Sequence, residues 1–274
     1  MNQFPHFPWY FNKKEFFKID TSIEKEMDFY PADHKDTFEK NLKTQPEDWH
    51  YRTKKITYKL NSFGYRAPEF NTIKWNESVA LFGCSCTFGV GVDEDETISY
   101  FLNKELGRPV INMGWPGGSN MNMLMNSLAL SQINQIPYAI VFLWSTTDRL
   151  PLFTDRQVYN VGPWDSNENQ KNVECRDSYN DIYSNLFENY NFFIENETMN
   201  SYFISQFAKR IWKEKTKYIT GTFFNNTALC MDTENTFKID NKARDLIHPG
   251  LDSNKIAASK LAHLIKNHGV KNLL

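Results

Sequence analysis

Val79-Ala80-Leu81-Phe82-Gly83-Cys84-Ser85-Cys86-Thr87-Phe88-Gly89 passes from an uninterrupted apolar run into a glycine-bounded loop. An apolar run without alternation suits a strand buried on both faces, as in a parallel sheet covered by helices. The residues downstream repeat the pattern. Thr97 to Leu106 reads as a helix closed by Gly107, Val110-Ile111-Asn112-Met113 as a second strand ended by Gly114, and Tyr138 to Trp144 as a third. Between the last two, Met121 to Ile136 places Met121, Leu124, Met125 and Leu128 at helical spacing behind a Ser119 or Asn120 cap. Parallel neighbours need a crossover of about a dozen residues or more, which these helices supply. The expected fold class is therefore α/β: a three-layer α/β/α domain with a flavodoxin-like parallel sheet.

Further along, 151–177 is polar and reads as an excursion loop, and Tyr179 to Trp212 resumes helical spacing through Ile182, Leu186, Tyr190, Phe193, Phe203, Phe207 and Ile211. Tyr218 to Phe224 is expected as a fourth strand and Phe237-Lys238-Ile239 as a short fifth, with Asp252-Ser253-Asn254 capping a last helix to Lys266. Upstream, Pro5, Pro8, Pro31, Pro46 and Pro68 break any long helix, so 1–75 reads as an N-terminal extension packing on a domain of 76–274. Within it Ile56 to Leu60 alternates like a half-buried strand, and Asn61-Ser62-Phe63-Gly64 supplies a turn.

A chain of 274 residues, 41% hydrophobic, is long enough to bury a full core. Its formal net charge of −2 argues against nucleic acid or an anionic membrane as partner. The 4 cysteines form neither a secreted disulfide framework nor a zinc pattern, and Cys84 and Cys86 read as buried free thiols. No metal spacing joins His6, His34, His50, His263 and His268. No signal peptide or membrane span is readable, so a cytoplasmic compartment is expected. One feature is unusual: 15% aromatic residues on a chain of mean hydropathy −0.58.

In open parallel sheets functional groups lie beyond the carboxyl ends of the strands. After the first comes Ser85, after the second Gly114-Trp115-Pro116-Gly117-Gly118, after the third Ser145-Thr146-Thr147-Asp148-Arg149, and before the last helix Asp245-Leu246-Ile247-His248-Pro249. A serine, a histidine three residues after an aspartate, and backbone N–H groups freed by glycines are the parts of acyl transfer. These blocks resemble the SGNH/GDSL hydrolases. The family's Gly-Asp-Ser-x-Thr looks like Gly83 to Thr87, its Asn-x-Gly like Asn112 to Gly114, and its Asp-x-x-His-Pro like Asp245 to Pro249. Asn61 to Arg66 also looks like an Asn-Ser-x-Gly-x-Arg that precedes the first block in some bacterial and phage members, for which a virion location is implied.

The resemblance implies Ser85 as nucleophile, His248 as base and Asp245 as its orienter. It implies the N–H groups of Ser85 and Gly114 as oxyanion donors, with no cofactor and no metal. The substrate implied is a small-molecule or carbohydrate ester, O-acetylated sugar first, with Trp115, Asp148 and Arg149 as candidate substrate contacts. Since imidazole must be neutral to act as base, acylation is expected to rise through about pH 6–7. Two departures stand out. Cys84 occupies the family's Asp position, and Ser145-Thr146-Thr147-Asp148 stands for Gly-x-Asn-Asp, so the third oxyanion donor is missing. The Thr147 hydroxyl or the Asn120 amide are the candidate replacements, and the residues do not choose between them. The alternative reading is a non-catalytic carbohydrate-binding or virion structural module that keeps the fold.

Overall fold

The computed structural model describes residues 16–19, 24–153, 158–162, 194–231, 233 and 235–268. In chain order its elements are β1 (Glu26–Met27), α1 (Lys35–Thr44), β2 (Tyr58–Lys59), β3 (Val79–Gly83), α2 (Ser85–Phe88), α3 (Ile98–Leu106), β4 (Val110–Gly114), α4 (Asn120–Gln132) and β5 (Ala139–Trp144). They continue with β6 (Leu150–Phe153), β7 (Val158–Val161), α5 (Ile194–Trp212), β8 (Lys217–Thr222), α6 (Asn225–Cys230) and α7 (Leu251–Lys266).

The central sheet has the order β4-β3-β5-β8 and every pairing in it is parallel. Numbered within the sheet this is 2-1-3-4, the doubly wound order of flavodoxin-like folds. The side-chain period of two explains why β3 and β5 are apolar throughout. Val79, Leu81, Val141 and Leu143 face Ile98 and Leu102 of α3 and Ala257, Ala258, Leu261 and Ile265 of α7. Ala80, Phe82, Ile140, Phe142 and Trp144 face Met123, Leu124 and Leu130 of α4 and Ile204, Ala208 and Trp212 of α5. Helices on both faces make three layers. Each fully buried side chain of this kind contributes about 1.5–3 kcal/mol.

The helix ends follow local chemistry. Ser119 caps α4 through the Asn122 N–H, in a capping box, and the helix stops at Gln132 because Asn134 turns left-handed (φ 56°) ahead of Pro137. Gly107 closes α3. Two expectations need correction. Phe237-Lys238-Ile239 forms no strand: Thr222 bridges Thr236 alone, its N–H and C=O are taken by Asn235 and Phe237, and the chain then leaves the sheet. The last helix starts at Leu251 behind Gly250 rather than from an Asp252-Ser253-Asn254 cap, because the Asn241 side chain accepts the Ser253 N–H from across the preceding loop.

Residues 163–193, which include Ile182, Leu186, Tyr190 and Phe193, lie outside the described residues, as do Phe4, Phe7, Trp9, Tyr10 and Phe11. The described part of the 151–177 excursion is not irregular, since β6 and β7 pair antiparallel. The N-terminal segment packs on the sheet domain at two places. Phe16, Phe17, Tyr65, Phe70 and Trp75 enter the α4 and α5 side of the core, while Tyr30, Tyr51, Ile56 and Tyr58 pack on Phe88, Val90, Val92 and Ala243. Among the described residues no helix is long and apolar enough to cross a membrane.

Candidate active site

Ser85 follows the carboxyl end of β3. Cys84 is extended, and its carbonyl accepts the N–H groups of Thr87 and Phe88, which starts the single turn of α2 with Ser85 as its first residue. His248 stands on the loop before α7, which is closed by the Ala243 N–H on the His248 carbonyl at 2.8 Å. Although 163 residues separate them in sequence, Ser85 Oγ lies 2.8 Å from His248 Nε2. The Nδ1 of the same ring is hydrogen-bonded to Asp245 Oδ2. The other carboxylate oxygen, Oδ1, accepts the backbone N–H of Ile247 at 3.0 Å and of His248 at 3.1 Å. Leu246, at φ 61°, turns the chain so that both amides point back.

Burial pushes the Asp245 carboxyl up. The His248 hydrogen bond and charge, with the two backbone amides, outweigh it and hold the carboxyl below its ordinary range. An ionised Asp245 accepts Nδ1–H and leaves Nε2 as acceptor for the Ser85 hydroxyl, the tautomer that can take its proton. The Ser85 hydroxyl, the His248 ring and the Asp245 carboxylate thus form one hydrogen-bonded chain, nearly closed from solvent.

The other expected residues divide. The Gly114 N–H is not free for an oxyanion, because it donates to Asn112 Oδ1 at 3.0 Å. A Cβ at Gly114 would come within 2.3 Å of the Phe88 nitrogen, so this glycine lets β4 press against the nucleophile turn. Asn120 is also committed. Its Nδ2 donates to the Ser145 carbonyl at 3.1 Å and its Oδ1 accepts the Ser145 N–H at 2.8 Å, which ties α4 to the end of β5. Thr147 is half-buried, and among the described residues its hydroxyl has no hydrogen-bond partner. Trp115 is no open platform: it is 7% exposed and packs on Tyr65 and Phe17. Arg149 Nη1 donates to the Gly118 carbonyl at 3.0 Å, while Asp148 Oδ1 is buried without a hydrogen bond among the described residues.

Cys84 and Cys86 are buried on either side of Ser85. The Cys86 contact holds the Cys84 thiol well below its usual range against burial, with the Arg149 charge assisting; the same contact, with burial, pushes Cys86 up. Among the described residues no group of His, Cys, Asp and Glu is arranged to hold a metal ion.

Two groups received no role in the sequence reading. Asn112 is buried, and its Nδ2 donates to the Thr87 carbonyl at 3.0 Å while Oδ1 holds Gly114, so it staples β4 to the nucleophile turn. Gly117, in the tight turn after β4, has an N–H with no acceptor among the described residues. The Asn-x-Gly spacing marks Asn112 for attention, whereas nothing local distinguishes the Gly117 amide from that of Gly118, which bonds the Trp115 carbonyl.

No protein-family model and no curated protein sequence matches this chain. Among solved structures it is similar to an acetyl xylan esterase (Est2A) from the rumen bacterium Butyrivibrio proteoclasticus, at 12% identity and a TM-score of 0.40. The match covers 70% of this chain and 64% of that structure's chain.

Proposed function

We propose that this chain is a serine ester hydrolase of SGNH type that works through an acyl-enzyme on Ser85. The observation that carries the reading is the continuous hydrogen-bond chain from Ser85 Oγ through both ring nitrogens of His248 to Asp245. His248 Nε2 takes the hydroxyl proton as Oγ attacks the ester carbonyl, and the ionised Asp245 stabilises the imidazolium that forms. The same proton then passes to the leaving alkoxide. Water, deprotonated by His248, attacks the acyl carbonyl; collapse of the intermediate frees the acid as Ser85 Oγ leaves and takes the proton back from His248. The candidate donors for the developing oxyanion are the N–H of Ser85 at the start of α2, the N–H of Gly117 in the loop after β4 and the Thr147 hydroxyl in the loop after β5, because none of them has an acceptor among the described residues. This donor set replaces the one expected from Gly114 and Asn120, whose amides are engaged elsewhere. The substrate class is the ester of a small acyl group, O-acetyl on carbohydrate first, on the strength of the sequence resemblance.

Those engaged amides favour one second reading, a folded module in which the hydrogen-bond chain persists without turnover. A fluorophosphonate reagent separates the two, with the adduct located by mass spectrometry. The enzyme reading expects an adduct on Ser85 that disappears in His248→Ala. A well-folded protein that takes up no label sinks it.

A further inference from the structure

We infer that the Asp33–Arg244 ion pair and the Tyr58 hydroxyl, supplied jointly by the N-terminal segment and the loop of the base, are positioning residues that set the distance between Ser85 and His248. The inference rests on the hydrolase reading above. Asp33, Tyr58 and Arg244 are each buried to within 5% of full burial. Arg244 directly precedes Asp245, and its Nε and Nη2 grip the Asp33 carboxylate at 3.1 and 2.6 Å. The Tyr58 hydroxyl donates to Asp33 Oδ2 at 2.6 Å and accepts the Gly91 N–H at 2.7 Å. The Gly91 carbonyl in turn accepts the Arg244 N–H at 2.9 Å, which closes a ring of bonds.

That ring joins the two segments which carry the reacting groups. Gly91 belongs to the turn that continues from Ser85, and residues 243–248 hold the acid and the base. The approach is close: at φ 77°, a Cβ on Gly91 would meet the Ala243 Cβ at 2.8 Å and the Asp245 nitrogen at 3.3 Å. On the other side Arg66 Nη1 donates to the carbonyls of Gly89 and Val92 at 2.8 and 3.0 Å, with its guanidinium 4.9 Å from the Tyr58 ring. A buried ion pair is weak grounds for added stability, and its better-attested use is to fix one arrangement among several. Here both ends of the relay finish on peptide groups beside the hydrogen-bonded chain, where a small displacement is costly to a reaction that needs near-attack geometry.

Tyr58→Phe removes one hydroxyl and leaves the ion pair and ring contacts in place; Asp33→Asn is the second variant. Three quantities are read on folded protein: the limiting rate of fluorophosphonate labelling, the reagent concentration for half that rate, and the downfield proton resonance of His248 Nδ1–H. Expected for Tyr58→Phe is a limiting rate about 10- to 100-fold lower, an unchanged half-saturation and a displaced resonance. Arg244→Lys, which keeps a cation for Asp33, retains more of the rate than Arg244→Met. A merely structural role moves the unfolding midpoint alone, so Tyr58→Phe and Asp33→Asn proteins that label like wild type with the resonance unmoved overturn the inference. If wild type itself takes no label, the hydrolase reading has failed, and the resonance decides the positioning role: displacement supports it and constancy rejects it.

Discussion

Asp245 ties its own turn and the His248 ring together through its two carboxylate oxygens. Its Oδ1 closes the turn through two backbone amides while Oδ2 fixes the imidazole. Asp245→Asn keeps the size but loses the charge, and is expected to slow Ser85 labelling by about 10²–10⁴ with the protein still folded. The depressed carboxyl also makes a stability prediction. Its folded value lies below the unfolded value of about 3.9, so the ionised form favours the folded state. That contribution is complete above the unfolded value and is lost as pH falls through the depressed one. Urea midpoints of wild type and Asp245→Asn should therefore converge as pH falls below about 4; a gap that persists unchanged or widens there contradicts the assignment. The neighbouring thiols carry the opposite expectation. A Cys84→Ala, Cys86→Ala double variant, if folded, keeps the Ser85 adduct, whereas a thiol-dependent enzyme would lose it. The order of the blocks after the strands marked Ser85, Asp245 and His248 as one candidate group, and folding brings the three into a hydrogen-bonded chain. The spare amide of Gly117 and the committed ones of Gly114 and Asn120 were not legible, because a backbone or carboxamide group is defined only by what folding brings opposite it.

Among the elements, β4 and α2 meet in close contact beside Ser85. An alanine at Gly114 would drive its Cβ into backbone atoms of Phe88, 2.3 Å from the nitrogen and 2.7 Å from Cα, which no rotamer change relieves. Gly114→Ala is expected to lower stability by about 1–3 kcal/mol, measured by urea unfolding, and to slow labelling as well because the clash displaces the turn that starts at Ser85. Unchanged stability would mean that β4 and α2 yield more freely than their packing suggests. The strands were the readable elements: β3 and β5, covered on both faces, leave uninterrupted apolar runs. Helix α1 escaped notice because Lys35–Thr44 carries only two apolar side chains, Phe38 and Leu42, one turn apart and both only half-buried. The β6–β7 hairpin escaped because its strands are short and border a polar stretch.

Over the whole molecule, part of the aromatic content of this polar chain joins the N-terminal segment to the sheet domain among the described residues. Phe16 lies 4.5 Å from Phe70 and 5.6 Å from Trp75, and Tyr30 lies 4.9 Å from Phe88, which belongs to the nucleophile turn itself. Polar ties run through the same contact: the Phe17 N–H donates to Asn126 Oδ1, Asn126 Nδ2 to the Tyr65 hydroxyl, and that hydroxyl to the Phe17 carbonyl. Aromatic pairing across long sequence separations leaves no periodic trace, so which rings on either side of residue 75 share a core was not readable in the sequence. The segment is then expected to fold together with the sheet domain as one unit. Trp75, 2% exposed, anchors it, and Trp75→Ala should cost about 3–5 kcal/mol. A chain that begins at Ser78 lacks Phe16, Phe17, Tyr30, Tyr65, Phe70 and Trp75 together with Asp33, Tyr58 and Arg66. It should keep far-ultraviolet helix signal, lose near-ultraviolet aromatic signal, bind a hydrophobic dye and fail to label at Ser85. Full near-ultraviolet signal and wild-type labelling in that shortened chain would instead establish residues 78–274 as a self-sufficient domain, and with it an active site that needs no support from the segment before it.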